Sequence, residues 1–313
     1  MKYKTFISVV MPCYNSETYI SAAIQSILKQ SFESFELIII NDGSLDNTEN
    51  EIKKYKDSRI KYFRNDKNKG NYAARNIGLN IVKGKYTCVM DSDDIAFPDR
   101  LQKQFDYLES HPSVGCVGGL SQAIDEDNNI IGIINRPLIY PKIKTWLFKN
   151  NYVTHPTIMI RSSLIKKHRL FYDEKLKYSS DYDFIVKASS LFPIRNLNEV
   201  ILKYRLHPNQ ISSAKHGEQI KYADTVRKKQ LKLFGMSFTE KEIDLHLRLM
   251  KGEYIGYFEL NKCEKWLNKL YNINCEKKIY NSKYLYDLFD EILTLAVYNN
   301  SVRNKDNSSK KKT

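Results

Sequence analysis

Within its first hundred residues the chain alternates short strand-like runs with stretches of helical period. "FISVVMP", "FELIIINDGS", "RIKYFRN" and "YTCVMD" read as strands that close on polar or turn-forming residues. Between them lie "SETYISAAIQSILKQS", "LDNTENEIKKYK" and "GNYAARNIGLNIVKG". In the first, Ile20, Ile24, Ile27 and Leu28 fall on one helical face and Ser16 is placed to cap it. The second is acidic at its start and basic at its end, as the helix dipole prefers. Strand and helix at this pitch predict an α/β fold whose mostly parallel sheet is flanked by helices. Ligands of such sheets bind beyond the carboxyl ends of the strands. Three polar segments meet that condition: Pro12 to Asn15, Asn41 to Ser44, and Asp91 to Asp94.

Beyond Pro98 the pattern predicts a helix over "DRLQKQFDYLESH" with Asp99 as cap, a strand over "VGCVGGLSQAID" and a hairpin turn at "EDNNII". Residues 154–213 mix strand and helix and are rich in His, Arg and Asp. After His216 the chain turns Lys-, Leu- and Tyr-rich with helical period, so a boundary is expected near residue 214. The end, "RNKDNSSKKKT", has no apolar pattern and is expected to be disordered. No apolar run approaches the ~20 residues that cross a bilayer, and "FISVVM" is too short for a signal-peptide core, so a cytoplasmic location is expected. Five cysteines without a C-x-x-C pair argue against zinc or a disulfide framework.

The formal net charge of +14 suits an anionic partner, whether phosphate-bearing small molecule, membrane surface or nucleic acid. Against that background Asp91, Asp93 and Asp94 stand within four positions at the end of a buried strand. Carboxylates so crowded are stable as ions when a cation sits among them, and Mg²⁺ or Mn²⁺ with oxygen ligands is the natural choice. Asp42 follows a second apolar strand and could accept from a base edge or ribose, or close an Asx-turn. Lys67, Lys69 and Arg75 bring positive charge near the same strand ends, suited to a diphosphate. Asp181 opens a predicted helix with Asp183 two residues on, as helix caps or as a general base. Arg205 and His207 share one face of an extended segment, and His155 stands in a second His-Pro context. Neither a P-loop nor a dinucleotide-binding glycine pattern occurs.

Taken together these segments resemble the family 2 glycosyltransferases of the GT-A fold. "SVVMPCYNSETYISAAIQSILKQSFESFELIIINDGSLDNT" is similar to the family's opening, "GNYAARNIGLNIVKGKY" to its third block and "MDSDDIAFPDRL" to its metal motif. "SSDYDFIVKAS" and "YRLHPNQIS" resemble its catalytic-base and closing-loop segments. The likeness covers roughly residues 5–213. It implies a GT-A catalytic domain over 1–213, with a nucleotide-sugar half about 1–98 and an acceptor half about 99–213. A helical C-terminal region over 214–302 and a basic tail over 303–313 complete the expected layout.

The resemblance also implies roles. Pro12, Tyr14 and Asn15 would frame the base of the donor, and Asp42 would bond its edge. Arg75, Asp91 and Ser92 would meet the ribose and diphosphate. Asp93 and Asp94, with His207 as a further candidate, would hold Mn²⁺ or Mg²⁺. His155 and Arg205 would lie on the acceptor and diphosphate side. Asp181 would deprotonate the acceptor, with Asp183 as the alternative, because the family often carries an acidic residue where this chain has Ser180. The family also often has Asp where this chain has Asn41. The implied reaction is inverting transfer from a nucleotide-sugar, UDP favoured, to a hydroxyl of a glycan or lipid-linked glycan. No Gln-x-x-Arg-Trp motif of processive synthases appears, so single additions are expected. The helical region, with 20 Lys and Arg against 13 Asp and Glu over 214–313, suits peripheral contact with the inner membrane face or a homodimer. Two rivals remain at this point. A sugar-phosphate nucleotidyltransferase lacks its usual Gly-rich basic loop in "PCYNSET". A nucleic-acid-binding protein is disfavoured because the acidic cluster would repel phosphates.

Overall fold

A computed structural model describes residues 5–208 and 210–309. The chain forms two compact units, one of 1–140 with 152–222 and one of 141–151 with 223–313. The first begins with β1 (Ile7–Cys13), α1 (Ile20–Leu28), β2 (Phe35–Asn41), α2 (Thr48–Lys53), β3 (Ile60–Arg64), α3 (Asn71–Ile81) and β4 (Tyr86–Val89). Strands β1, β2 and β4 are buried along their whole length, which their unbroken apolar sequence requires of a sheet covered on both faces. Helices α1 and α3 supply the covers, with Ile20, Ile24 and Ile27 in one core and Ala74, Ile77 and Ile81 in the other.

The remaining elements are β5 (Ile95–Ala96), α4 (Arg100–Ser110), β6 (Cys116–Ile124), β7 (Ile130–Ile134), α5 (Tyr140–Trp146), β8 (Met159–Arg161), α6 (Ser162–His168), α7 (Ser180–Leu191), β9 (Ile194–Arg205) and α8 (Ile211–Ala214). Strand order is β3-β2-β1-β4-β8-β6-β9-β5, with β7 paired to β6. The first four strands are parallel. In the second half the long β6–β9 pairing is parallel, whereas β8, β5 and β7 join antiparallel. The chain moves outward from β1 to β2 and β3, then returns to place β4 on the other side of β1. That reversal opens a crevice at the carboxyl ends of β1 and β4. Pro12 is tolerated inside this central strand because the β4 ladder on β1 ends at Val10.

Two local expectations need correction. Ser16 does not cap α1: the cap position is Tyr19, and the Ser16 hydroxyl instead meets Ser92 Oγ at 2.9 Å. Asp99 holds the cap position of α4, but its carboxylate pairs with Lys103 at 2.7 Å rather than with backbone N–H groups. The last helix is assigned as far as Ser309, and 310–313 of the expected tail lie outside the described residues.

The second unit contains the end of α9 (His216–Leu231), then α10 (Glu240–Lys251), α11 (Leu260–Lys277) and α12 (Ser282–Ser309). Thr239 and Glu242 form a reciprocal capping box at the start of α10. The division falls after residue 222, not 214, and the unit recruits 141–151 from far upstream. Phe148 of that segment is fully buried among Phe234, Tyr280 and His246, at ring separations of 5.5, 5.3 and 4.9 Å. Arg227 and Gln230 donate to the carbonyls of Lys149 and Leu147. An isolated "WLF" between polar residues gives no periodic signal, so its destination was illegible from sequence. Among the described residues no helix is long and apolar enough to cross a membrane.

Candidate active site

The loops at the carboxyl ends of β1, β2 and β4 are stitched together by small polar side chains. Asn15, at φ +47°, accepts from Leu45 N at 2.9 Å, and its own N–H reaches Ser44 Oγ at 3.0 Å. Ser16 N donates to Thr48 Oγ1, while the Ser16–Ser92 contact ties the loop to the acidic motif. Tyr14 stands 42% exposed at the rim, available to an aromatic ligand. Asp42 is buried, and its carboxylate is fully engaged by the loop before α3. It accepts from Asn65 Nδ2 at 2.7 Å, from Lys69 N at 3.0 and 3.1 Å, and from Gly70 N at 2.8 Å. Gly43, at φ +72°, lets that loop pass close, since a Cβ would lie 2.8 Å from the carbonyl carbon of Lys67. Lys67 and Lys69 themselves are exposed. Asp42 thus fixes the start of α3, the helix that carries Tyr72 and Arg75.

Asp91, Asp93 and Asp94 each offer a carboxylate oxygen, and these atoms lie within 4.8 Å of one another. Arg75, buried beneath them, forms an ion pair with Asp91 through Nη2. Its Nε and Nη1 are buried without a hydrogen bond to the described residues. Burial pushes the Asp91 carboxyl up, Arg75 pulls it down, and Asp93 raises it again, leaving it above its ordinary value. Asp94 is raised much further, by burial first and then by Asp93 and Asp91. One of its oxygens accepts from Arg205 N at 2.9 Å, and the other is buried without a hydrogen bond. His207 Nε2 lies 3.1 Å from Asp93 Oδ2.

Arg205 is buried and holds the surroundings of this motif. It donates to the Asp93 carbonyl at 2.8 Å, to the carbonyls of Asp125 and Glu126, and to Asn128 Oδ1. Tyr19 packs under its guanidinium at 4.5 Å and beside His207 at 5.2 Å. A second layer comes from α7. Asp181 accepts from Tyr72 Oη at 2.9 Å, and its charge is felt by Asp91, Tyr72 and Tyr172. Tyr72 stacks on Tyr172 at 5.6 Å, and Tyr172 on Phe184 at 4.5 Å. Asp183, the alternative base, is 2% exposed and paired with Lys187 at 2.6 Å, one turn along its own helix. His155 is also buried, with Nε2 at 2.7 Å from Tyr172 Oη, and burial followed by Arg75 pushes it well below the ordinary histidine range.

The fold therefore brings Arg75, Asp91, Asp93, Asp94, Asp181 and His207 together, with Ser92 facing the β1 loop. It places Pro12 inside β1, Asp42 and Arg205 as buried braces, and His155 and Asp183 in the core. Tyr72, Tyr172 and Tyr19 were not singled out from sequence. Only the position of Tyr72, one helical turn before Arg75, gave a signal. The residues fit a divalent cation: the donors are hard oxygens plus an imidazole, and the orphaned Asp94 oxygen and the raised carboxyls call for positive charge.

The sequence model of glycosyl transferase family 2 matches residues 8–169. An uncharacterized glycosyltransferase of Methanocaldococcus jannaschii is 38% identical over 213 residues, which are 66% of this chain and 72% of that protein. UDP-Glc:alpha-D-GlcNAc-diphosphoundecaprenol beta-1,3-glucosyltransferase WfgD of Escherichia coli is 32% identical over 214 residues, 68% of this chain and 81% of the relative. The crystal structure of S. aureus TarS 1–349 in complex with UDP-GlcNAc matches with a TM-score of 0.64 at 18% identity, over 96% of this chain and 92% of that one. The last is a likeness of fold, and that fold is GT-A.

Proposed function

The chain belongs to glycosyl transferase family 2, and on that premise we propose an inverting, metal-dependent enzyme that moves a sugar from a UDP-sugar to a hydroxyl of a glycan or lipid-linked glycan. One observation carries the reading: α3 links the two halves of the chemistry, with Arg75 on Asp91 and Tyr72 on Asp181. Asp181 takes the proton of the acceptor hydroxyl as its oxygen attacks the anomeric carbon, and the bond to the diphosphate breaks with its electron pair leaving on the nucleotide. No nucleophile of the enzyme intervenes, so the anomeric centre inverts. The Tyr72 hydroxyl holds Asp181 in place. Arg75 orients Asp91, and its two remaining buried donor groups serve ribose or phosphate oxygens. Asp93, Asp94 and His207 would hold Mn²⁺ or Mg²⁺, which when bound neutralises charge on the departing diphosphate. Tyr14 packs on the base at the rim. WfgD is named for a UDP-Glc donor and a diphosphoundecaprenol-linked acceptor, which supports a UDP-sugar and a lipid-linked glycan here. A cytoplasmic enzyme with such an acceptor must meet the membrane face, and the basic excess of 214–313 is the charge that face attracts.

The test is a thermal-shift titration with UDP and Mn²⁺, followed by a screen of nucleotide-sugars for slow hydrolysis without acceptor. UDP is expected to raise the melting temperature, and Asp93→Asn to remove the metal-dependent part. No shift with any nucleotide would sink the proposal.

A further inference from the structure

Strand β7 carries an apolar edge that the described residues of a single copy leave without a neighbouring strand. It pairs with β6 on one side, and among the described residues no strand lies on its other edge. Ile130, Ile131 and Ile133 are 63, 54 and 57% exposed, so three apolar side chains of this strand meet solvent. No charged residue or proline occurs from Asn128 to Asn135, and the strand's pairing with β6 shifts register at Ile131. Native edges of this kind are shielded, because their unpaired N–H and C=O groups recruit another strand. The strand is also held in place, since Arg205 fastens the hairpin turn through Asp125, Glu126 and Asn128.

Two features identify the missing neighbour. The run from Asn129 to Asn135, "NIIGIIN", reads the same in both directions about Gly132. Antiparallel pairing of this run with itself about a two-fold axis sets Gly132 opposite Gly132, Ile131 opposite Ile133 and Ile130 opposite Ile134. Every cross-strand pair is then of like shape, and β-branched pairs are favourable. The second feature is Gly132 itself. Its φ is not positive, and a Cβ there would meet nothing within 4 Å. Glycine inside a strand weakens it; here it adjoins the irregularity where the β6–β7 register shifts between the Ala123–Gly132 and Ile124–Ile130 pairs, and it also leaves room for close approach of another backbone. Charge excludes the main rival, insertion into an anionic membrane, because Asp125, Glu126 and Asp127 flank the strand in the hairpin turn.

We propose that the chain self-associates through β7, forming a two-fold dimer by antiparallel pairing about Gly132. The proposal is independent of the donor, metal and acceptor assignments. A strand of five residues makes a small interface, so dissociation is expected on the order of 1–100 μM. Sedimentation velocity on the full chain should therefore show a concentration-dependent shift from 36.7 kDa toward twice that mass. The double variant Ile131→Lys, Ile133→Lys should hold the mass of one chain throughout, with unchanged circular dichroism and melting temperature, because both side chains are exposed. Gly132→Cys should cross-link to a dimer under mild oxidation and revert on reduction, whereas Ile139→Cys, outside the palindrome, should not. Three results overturn the proposal: one-chain mass up to about 500 μM, a dimer that the double variant leaves intact, or loss of binding to phosphatidylglycerol vesicles in the double variant as its only effect.

Discussion

Asp42→Asn separates two roles for one carboxylate: contact with the base of the donor, or bracing of the loop that launches α3. The structure supplies the magnitude. Oδ2 accepts from Gly70 N at 2.8 Å and Lys69 N at 3.1 Å, and Oδ1 from Asn65 Nδ2 at 2.7 Å and Lys69 N at 3.0 Å. An asparagine keeps one acceptor oxygen and turns an NH₂ toward the other donors. If that NH₂ replaces Oδ1, the Asn65 amide can flip to receive it, but the Lys69 share is lost and the Gly70 bond loses its charge assistance. Hydrogen bonds to charged groups are worth about 1.5–3 kcal/mol and neutral ones about 0.5–1.5, so the exchange costs about 3 kcal/mol. For a unit of this size that lowers the melting temperature by about 6–12 °C. The assay is differential scanning calorimetry of the ligand-free protein, paired with UDP titration. A variant that melts within about 1 °C of the parent, yet binds UDP more weakly, would refute the bracing argument and return Asp42 to the base edge.

Two further outcomes follow from the same geometry. Tyr72→Phe removes the donor to Asp181 while keeping the ring on Tyr172, so kcat for transfer should fall about 10-fold with KM for the donor little changed; equal activity would show that Asp181 needs no such support. His246, buried in the second unit, is pushed down to about 3 by burial and then by Arg227. Because the folded form holds it neutral, its contribution is complete above the unfolded value near 6.5 and is lost as pH falls from there toward 3, by about 1.4 kcal/mol per pH unit. Urea titrations at pH 7 and pH 4.5 should show this loss and a smaller one in His246→Phe; parallel losses would contradict it.

Much of this protein is legible locally. Apolar β-branched runs that end in polar residues mark β1, β2 and β4, and the helical period between them dictates a parallel sheet. The crevice at the ends of those strands then follows from topology. The acidic motif declares itself because three carboxylates crowded at the end of a buried strand raise one another's cost of ionising. Helix starts were less legible, since a serine before an apolar run signals a cap even when, as at Ser16, its hydroxyl serves another loop.

What each polar side chain touches was decided only in three dimensions. Asp42 and Asp91 are both strand-end carboxylates, yet one is consumed by backbone N–H groups and the other meets a buried guanidinium. Asp181 and Asp183 are two residues apart on one helix, and the 3.6-residue turn sends them to different surroundings. Tyr72 reaches Asp181 across 109 residues of sequence. A sequence lists donors and acceptors, but burial removes water as the universal partner, and the pairings that replace it depend on which distant segments the core brings within about 3 Å.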